Sequence, residues 1–264
     1  IVAHRVMWSV LLVLAILWAR KSLHEFLIAI RDPRTRRFMI ASTALIAGNW
    51  LIYIWAITNE HILAGSLGYY INPLINVALG VVFFSERMNR TQLIAITLAA
   101  AGVLVLASES LASIWISLSL AGTFGLYGMV RKMAPVGSLP GLACETVLML
   151  PFAIGYAIWA HLYDPTPGFG YSGYTDAFLI AGGAITTIPL LLFASAARKM
   201  PLSTLGFVQF IGPTIQFMLG VFVYDEPFTR AHAICFALIW SAVAVFCLDG
   251  VRRSRAARVA QQAA

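Results

Sequence analysis

Charge is scarce in this sequence. Lys, Arg, Asp and Glu make up 11% of the 264 residues, while 60% are hydrophobic. A water-soluble chain of this size carries about a quarter of its residues charged, so a soluble domain is excluded. The bilayer, which dissolves apolar surface without charged cover, is the implied surrounding partner. Cysteine is equally sparse: Cys144, Cys235 and Cys247 fall inside apolar runs with no metal-ligand spacing, which argues against a disulfide framework and against a metal centre. The five histidines, His4, His24, His61, His161 and His232, are scattered, and Walker A, His-Glu-x-x-His and Gly-x-Ser-x-Gly sequences are absent. The chain therefore reads as a non-enzyme without a cofactor. A net charge of +7 could signal nucleic acid, but the basic residues sit between apolar runs and at the C-terminus, so no nucleic-acid partner is expected.

What is abundant is continuous apolar sequence. A helix crossing the bilayer needs about 20 mostly apolar residues, and nine segments qualify: 2–19, 38–58, 62–84, 91–107, 111–130, 140–160, 177–197, 202–224 and 231–248. The runs do not alternate, which excludes a barrel. The first has no small-residue cleavage site after it and is not a signal peptide. Trp18, Trp115 and Trp159 fall at span ends, where aromatic anchors form.

Sidedness follows from Lys and Arg, which accumulate in short cytoplasmic loops. The first connection carries six, the third, fifth and seventh two each, and the tail four, whereas the intervening connections share only Arg230. The C-terminus is accordingly expected in the cytoplasm.

Shifting the chain by 140 residues reveals an internal repeat. Ile71, Pro73, Ile75, Leu79, Gly80 and Val81 meet Ile211, Pro213, Ile215, Leu219, Gly220 and Val221, and Glu86 and Arg90 meet Glu226 and Arg230. The shift maps spans one to four onto six to nine and leaves the fifth without a counterpart. The expectation is a ten-helix fold of two inverted five-helix repeats, with the first helix absent from this chain: a first repeat over 1–107, a second over 111–248 and a basic cytoplasmic tail over 249–264. Inverted repeats build secondary transporters, whose substrate sites lie near the midplane.

Several stretches carry a resemblance. Asn49-Trp50-Leu51-Ile52-Tyr53-Ile54-Trp55-Ala56, Ser66-Leu67-Gly68-Tyr69-Tyr70-Ile71-Asn72-Pro73-Leu74-Ile75-Asn76, Phe124-Gly125-Leu126-Tyr127-Gly128-Met129-Val130-Arg131-Lys132 and Gln209-Phe210-Ile211-Gly212-Pro213-Thr214 resemble the RarD branch of the EamA family in the drug/metabolite transporter superfamily. The resemblance covers nearly the whole chain. It implies a ten-helix inner-membrane permease whose relatives export metabolites, amino acids or drugs, in a branch named for an association with chloramphenicol sensitivity. Ala64 departs from it, standing where an acidic residue is expected before Ser66.

The candidate site begins at two prolines, Pro73 and Pro213, each halfway along its span. Proline has no N–H, so the carbonyls of Tyr69 and Gln209, four residues earlier, lose their helical donors, and these points are read as hinges. Asn72, Asn76, Gln209 and Gln216 gather around them, with Asn76 and Gln216 equivalent under the repeat, and Asn49, Trp50 and Tyr53 are expected as walls of a small-molecule cavity. Amides that only join neighbouring helices are the competing reading. The gate or coupling candidates are His4, Arg5, Glu86, Glu145 and Glu226. Arg5 is expected near Glu226, and Arg87 or Arg131 near Glu145 and Glu86; alternatively Glu86 and Glu226 are solvated turn carboxylates. The chain reads as a secondary carrier working by alternating access, with a channel or a non-transporting sensor as the alternative and a homodimer left open as the assembly.

Overall fold

A computed structural model describes residues 2–108, 111–163, 169–170, 172–223 and 229–262, with side chains at all of these except 63, 220 and 253–262. Every described element is helical. In order they are α1 (Val2–Ala19), α2 (Leu23–Arg31), α3 (Pro33–Thr58), α4 (Ile62–Phe84), α5 (Arg90–Ala107), a single 3₁₀ turn at Leu111–Ser113, α6 (Ile114–Met133), α7 (Ser138–Tyr163), α8 (Gly173–Lys199), α9 (Leu202–Gln209), α10 (Ile211–Val223) and α11 (Arg230–Gln262). Among the described residues nine segments are long and apolar enough to cross a membrane, the eighth being α9 and α10 together.

Three features go beyond the sequence reading. The first connection carries a helix, α2, which buries Phe26 and Ala29 and turns its polar residues outward. The eighth span is broken after Gln209, four residues before Pro213, where the missing proline N–H removes a helical donor, whereas α4 runs on through Pro73. The tail is not separate from the ninth span, because α11 continues to Gln262.

The chain divides into two compact units, and each draws on both halves of the sequence. One comprises residues 1–48 and 127–199, and the other residues 49–126 and 200–264. In the first unit α1 packs against α7 and α8, around a core that includes Val13, Leu17, Met39, Leu139 and Leu142. The approach of α1 to α8 is close: a Cβ on Gly183 would come within 2.5 Å of the Trp8 Cβ, and Ser9 donates to the Gly183 carbonyl at 3.1 Å. The ends of α6 and α8 are tied reciprocally. Lys132 Nζ donates to the Ala197 carbonyl at 3.2 Å and Arg198 Nη1 to the Ala134 carbonyl at 2.7 Å, so each helix offers a cation to the negative end of the other.

In the second unit α5 lies along α11 through small residues, including Ala95, Ala99, Gly102 and Ala242, the contact by which membrane helices approach closely. Asn89 caps α5 in a capping box with Gln92, and its Nδ2 donates to Asp249 of α11 at 2.7 Å. α4 packs against α9, with a Cβ on Gly206 placed only 2.5 Å from the Pro73 carbonyl. The close pairs α1/α7, α5/α11 and α4/α9 each join segments 140 residues apart.

Candidate functional site

The polar side chains of the second unit collect where α4 crosses α9. Asn76, fully buried, donates from Nδ2 to Gln209 Oε1 at the break between α9 and α10. Tyr70, one turn before Leu74, donates its hydroxyl to the Pro213 carbonyl at 3.2 Å, so a proline of one span is held by the span equivalent to its own. Thr214 closes on its own helix, donating to the Phe210 carbonyl at 2.8 Å. Asn72 lies one turn before Asn76 and is buried to 6% exposure. The Oδ1 atoms of both asparagines lack a protein donor.

Of the expected site residues, the structure thus joins Asn76 to Gln209 and sets Pro73, Pro213 and Asn72 beside them. Gln216 is not among them: it is exposed on α10, and Asn76 meets Gln209 instead of its repeat equivalent. Asn49 is half-buried and uses its Nδ2 on α6, donating to the Leu120 carbonyl at 2.8 Å and to Thr123 Oγ1 at 2.9 Å. Its observed role is that of an amide joining helices. Trp50 is half-buried. Tyr53, also half-buried, meets the exposed ring of Tyr69 edge-on at 5.8 Å. A hollow of about 430 Å³ along α4 is lined by Leu74, Ile75, Ala78, Leu79, Val82 and Phe83, and touches none of the amides.

Glu86 corrects the expectation of a basic partner or a solvated turn. Its carboxylate accepts the N–H groups of Leu202 at 2.7 Å and Ser203 at 2.9 Å and the Ser203 hydroxyl at 2.7 Å, capping α9 from 116 residues away. The first turn of α9 has free N–H groups and no side-chain cap of its own after Pro201, and a carboxylate supplies acceptors and the charge that a helix N-terminus favours. The turn that aims it follows α4: Ser85 adopts φ 52°, and the N–H groups of Ser85 and Glu86 both donate to the Gly80 carbonyl. A Cβ on Gly80 would lie 2.5 Å from Glu86 Oε2. The repeated Gly and Glu, six residues apart, are therefore one device in this half. Glu226, and with it the expected approach of Arg5, lies outside the described residues.

The first unit buries an ion pair. Glu145 on α7 sits with Oε1 3.6 Å from Arg131 Nε, and both side chains are almost completely enclosed. Ser42 donates to Oε1 at 2.6 Å and Tyr127 to Oε2 at 3.2 Å, while Arg131 Nη2 donates to the Ser138 carbonyl at 2.9 Å. Isolated charges in a membrane are costly, and pairing with hydrogen-bond donors is what makes them tolerable. Arg131 counts in the sequence as one of two sidedness charges after the fifth span and as one of two partners offered to Glu145. Its burial carries no sequence signal, since it depends on Gly141 of another helix leaving room for the guanidinium. Tyr127 and Ser42 are missed for the same reason.

His4 and Arg5 are half-buried at the start of α1. Arg5 Nε donates to Thr186 Oγ1 of α8 at 2.7 Å, and the His4 ring stacks on Phe169 at 5.8 Å. Arg5 and Glu145 hold separate partners. No group of three or more His, Cys, Asp or Glu side chains able to hold a metal occurs among the described residues.

Comparison with known proteins decides what scaffold carries these groups. The model of the EamA-like transporter family matches residues 1–108. A Vibrio cholerae protein named only as an uncharacterised transporter is 42% identical over 99% of this chain and 86% of its own length. Protein RarD of Escherichia coli is 40% identical over 97% of this chain and 86% of its own length. The chain belongs to the RarD branch of the EamA-like transporter family. A Pseudomonas aeruginosa relative, named as chloramphenicol-sensitive protein RarD, is 29% identical over 97% of the chain and 86% of its own length. A crystal structure 19% identical in sequence, covering 95% of this chain and 87% of its own, shares the fold with a TM-score of 0.70. This RarD-branch protein is a helical multi-pass membrane transporter, and its relatives are named as transporters, not as enzymes.

Proposed function

We propose that this protein is a secondary carrier of small metabolites or drugs, working by alternating access in the inner membrane with its C-terminus in the cytoplasm. The observation that carries the reading is the break of the eighth span at Gln209, where Asn76 of α4 meets it. Transporters bind substrate where membrane helices are interrupted, because the interrupted backbone offers polar groups at a depth where lipid offers none. The duplication supports it as well: the 140-residue match joins a proline in each half at the same place, and an odd number of spans per repeat inverts the second copy. The Lys and Arg excess in alternate connections supports the orientation. With no nucleotide-binding sequence, net flux is driven by an ion gradient or by the substrate's own.

The test is counterflow into liposomes carrying the purified protein, screened over a metabolite and drug panel with and without a pH gradient. Chloramphenicol belongs in the panel on account of the Pseudomonas relative's name. Saturable flux, stimulated by substrate on the far side, is the expected result. Flux rising linearly with concentration, with no trans-stimulation, replaces the carrier with a pore.

A further inference from the structure

We infer that Asn72 is a substrate-binding residue whose side chain the protein leaves unpaired, and that the group it receives is polar and uncharged; this rests on the carrier reading above. The faces of α4 place it. Gly68 meets Leu120 of α6, and Ile75 meets Gly125 of α6, while Pro73 and Val77 meet Gly206 of α9. At 100° per residue, positions 72 and 76 fall between these two contact faces, in the angle where α4, α6 and α9 come together.

Asn76 finds a partner there in Gln209, and Asn72 finds none. Its Oδ1 is buried, and rotating the amide by half a turn would bury an unpaired NH₂ in its place. A buried amide without a partner destabilises the fold, whereas an apolar side chain of similar shape at the same place would not. The unpaired amide of Asn72 and the unpaired Oδ1 of Asn76 together form an unsatisfied polar set on the three-helix face. A ligand completes it.

The class of ligand follows from what surrounds the set. Residues 66–80, 114–126 and 202–216 contain no Asp, Glu, Lys, Arg or His, and the Glu86 carboxylate that reaches Leu202 and Ser203 is already taken up by their N–H groups and the Ser203 hydroxyl, so these stretches offer no free counter-charge to an ion. Amides instead match hydroxyl and amide groups, donor to acceptor and acceptor to donor. One turn before Asn72, the Tyr69 ring with Tyr53 edge-on to it offers an aromatic wall. The ligand is therefore a neutral, hydroxyl- or amide-bearing solute with a ring.

The experiment uses the full chain in detergent and three probes sharing one ring: N-acetylphenylalaninamide, which is neutral, phenylalaninamide, a cation, and N-acetylphenylalanine, an anion. Thermal unfolding and calorimetric titration are compared for wild type, Asn72→Leu, Asn72→Ala and, as a packing control, Ser117→Ala, which removes a 2.7 Å hydrogen bond to the Ala64 carbonyl. The neutral probe should bind wild type in preference to both ions. Asn72→Leu should unfold at or above the wild-type temperature and bind the neutral probe on the order of tenfold more weakly or worse. Ser117→Ala should unfold earlier with its affinity intact. If Asn72→Leu does not fold, Asn72→Ala gives the same reading, because it too removes the unpaired amide. Lower thermal stability in both Asn72 variants with unchanged affinity makes Asn72 a packing residue and overturns the inference. Preference for either ion, or binding of none of the three, overturns the ligand class but leaves the carrier reading, which stands on counterflow.

Discussion

A Cβ on Gly141 would overlap the Arg131 guanidinium, with Cζ only 2.8 Å away. The buried ion pair to Glu145 thus depends on a residue that carries no charge and makes no hydrogen bond through a side chain.

Gly141→Ala should therefore behave like loss of the pair itself. Removing one partner of a buried pair destabilises by about 3–5 kcal/mol because the other charge is left unmatched. Gly141→Ala, Arg131→Met and Glu145→Leu should each lower thermal stability strongly. In the Arg131→Met/Glu145→Leu background, Gly141→Ala should have little further effect. Equal losses in both backgrounds would show that the glycine acts independently of the guanidinium.

The Asn76–Gln209 contact bears on transport. Interhelical hydrogen bonds in membranes are worth about 0.6 kcal/mol, so Asn76→Ala and Gln209→Ala should leave insertion and thermal stability nearly intact. In counterflow, both should raise the apparent KM of whichever panel compound is transported. A drop in stability with unchanged KM would make the pair an ordinary helix joint.

The cap on α9 should be felt locally. Glu86→Ala removes all three acceptor contacts, and loss of a cap costs about 1 kcal/mol. Hydrogen exchange at Leu202 and Ser203 should accelerate while exchange in α7 is unchanged. Gly80→Ala should reproduce the effect with the carboxylate still present, since the new methyl displaces it. Unaltered exchange in Gly80→Ala would show that the turn after α4 yields instead.

Asp32 gives a pH dependence outside the spans. Its Oδ2 accepts from the Thr35 hydroxyl at 2.5 Å and the Thr35 N–H at 2.7 Å, and these bonds hold the carboxyl below its ordinary range. A lowered folded-state value stabilises above the unfolded carboxylate pKa of about 3.9, and the effect is lost as pH falls through the folded one. The stability difference between wild type and Asp32→Asn should be constant near neutrality and shrink below roughly pH 4. A difference that grows with acid contradicts this role of the Thr35 hydrogen bonds.

Much of this fold is visible in sequence because the bilayer imposes a length. Among the described residues the nine apolar runs are nine helical spans, and Pro213 stands four residues after the break in the eighth, although Pro73 leaves α4 unbroken. Partners across helices are harder to read. Gly80, Glu86 and their spacing stand out through repetition, but Leu202 and Ser203 are ordinary residues whose relevant groups are backbone N–H, which no composition reveals. Arg131 looks like any basic residue at a span end until Gly141 makes room for it. The amides of Asn72 and Asn76 are equally polar on paper, and only the geometry of α9 separates the paired from the unpaired.

The reciprocal ties between α6 and α8 bear on how orientation can be measured. Lys132 and Arg198 are among the charges from which the orientation is proposed, yet each also grips a carbonyl at the other helix's end. Deleting either to invert the protein would loosen the helix ends at the same time, so a reporter that changed sides could not be credited to charge alone. Arg252 at the end of the ninth span is exposed and offers a cleaner handle for such an inversion.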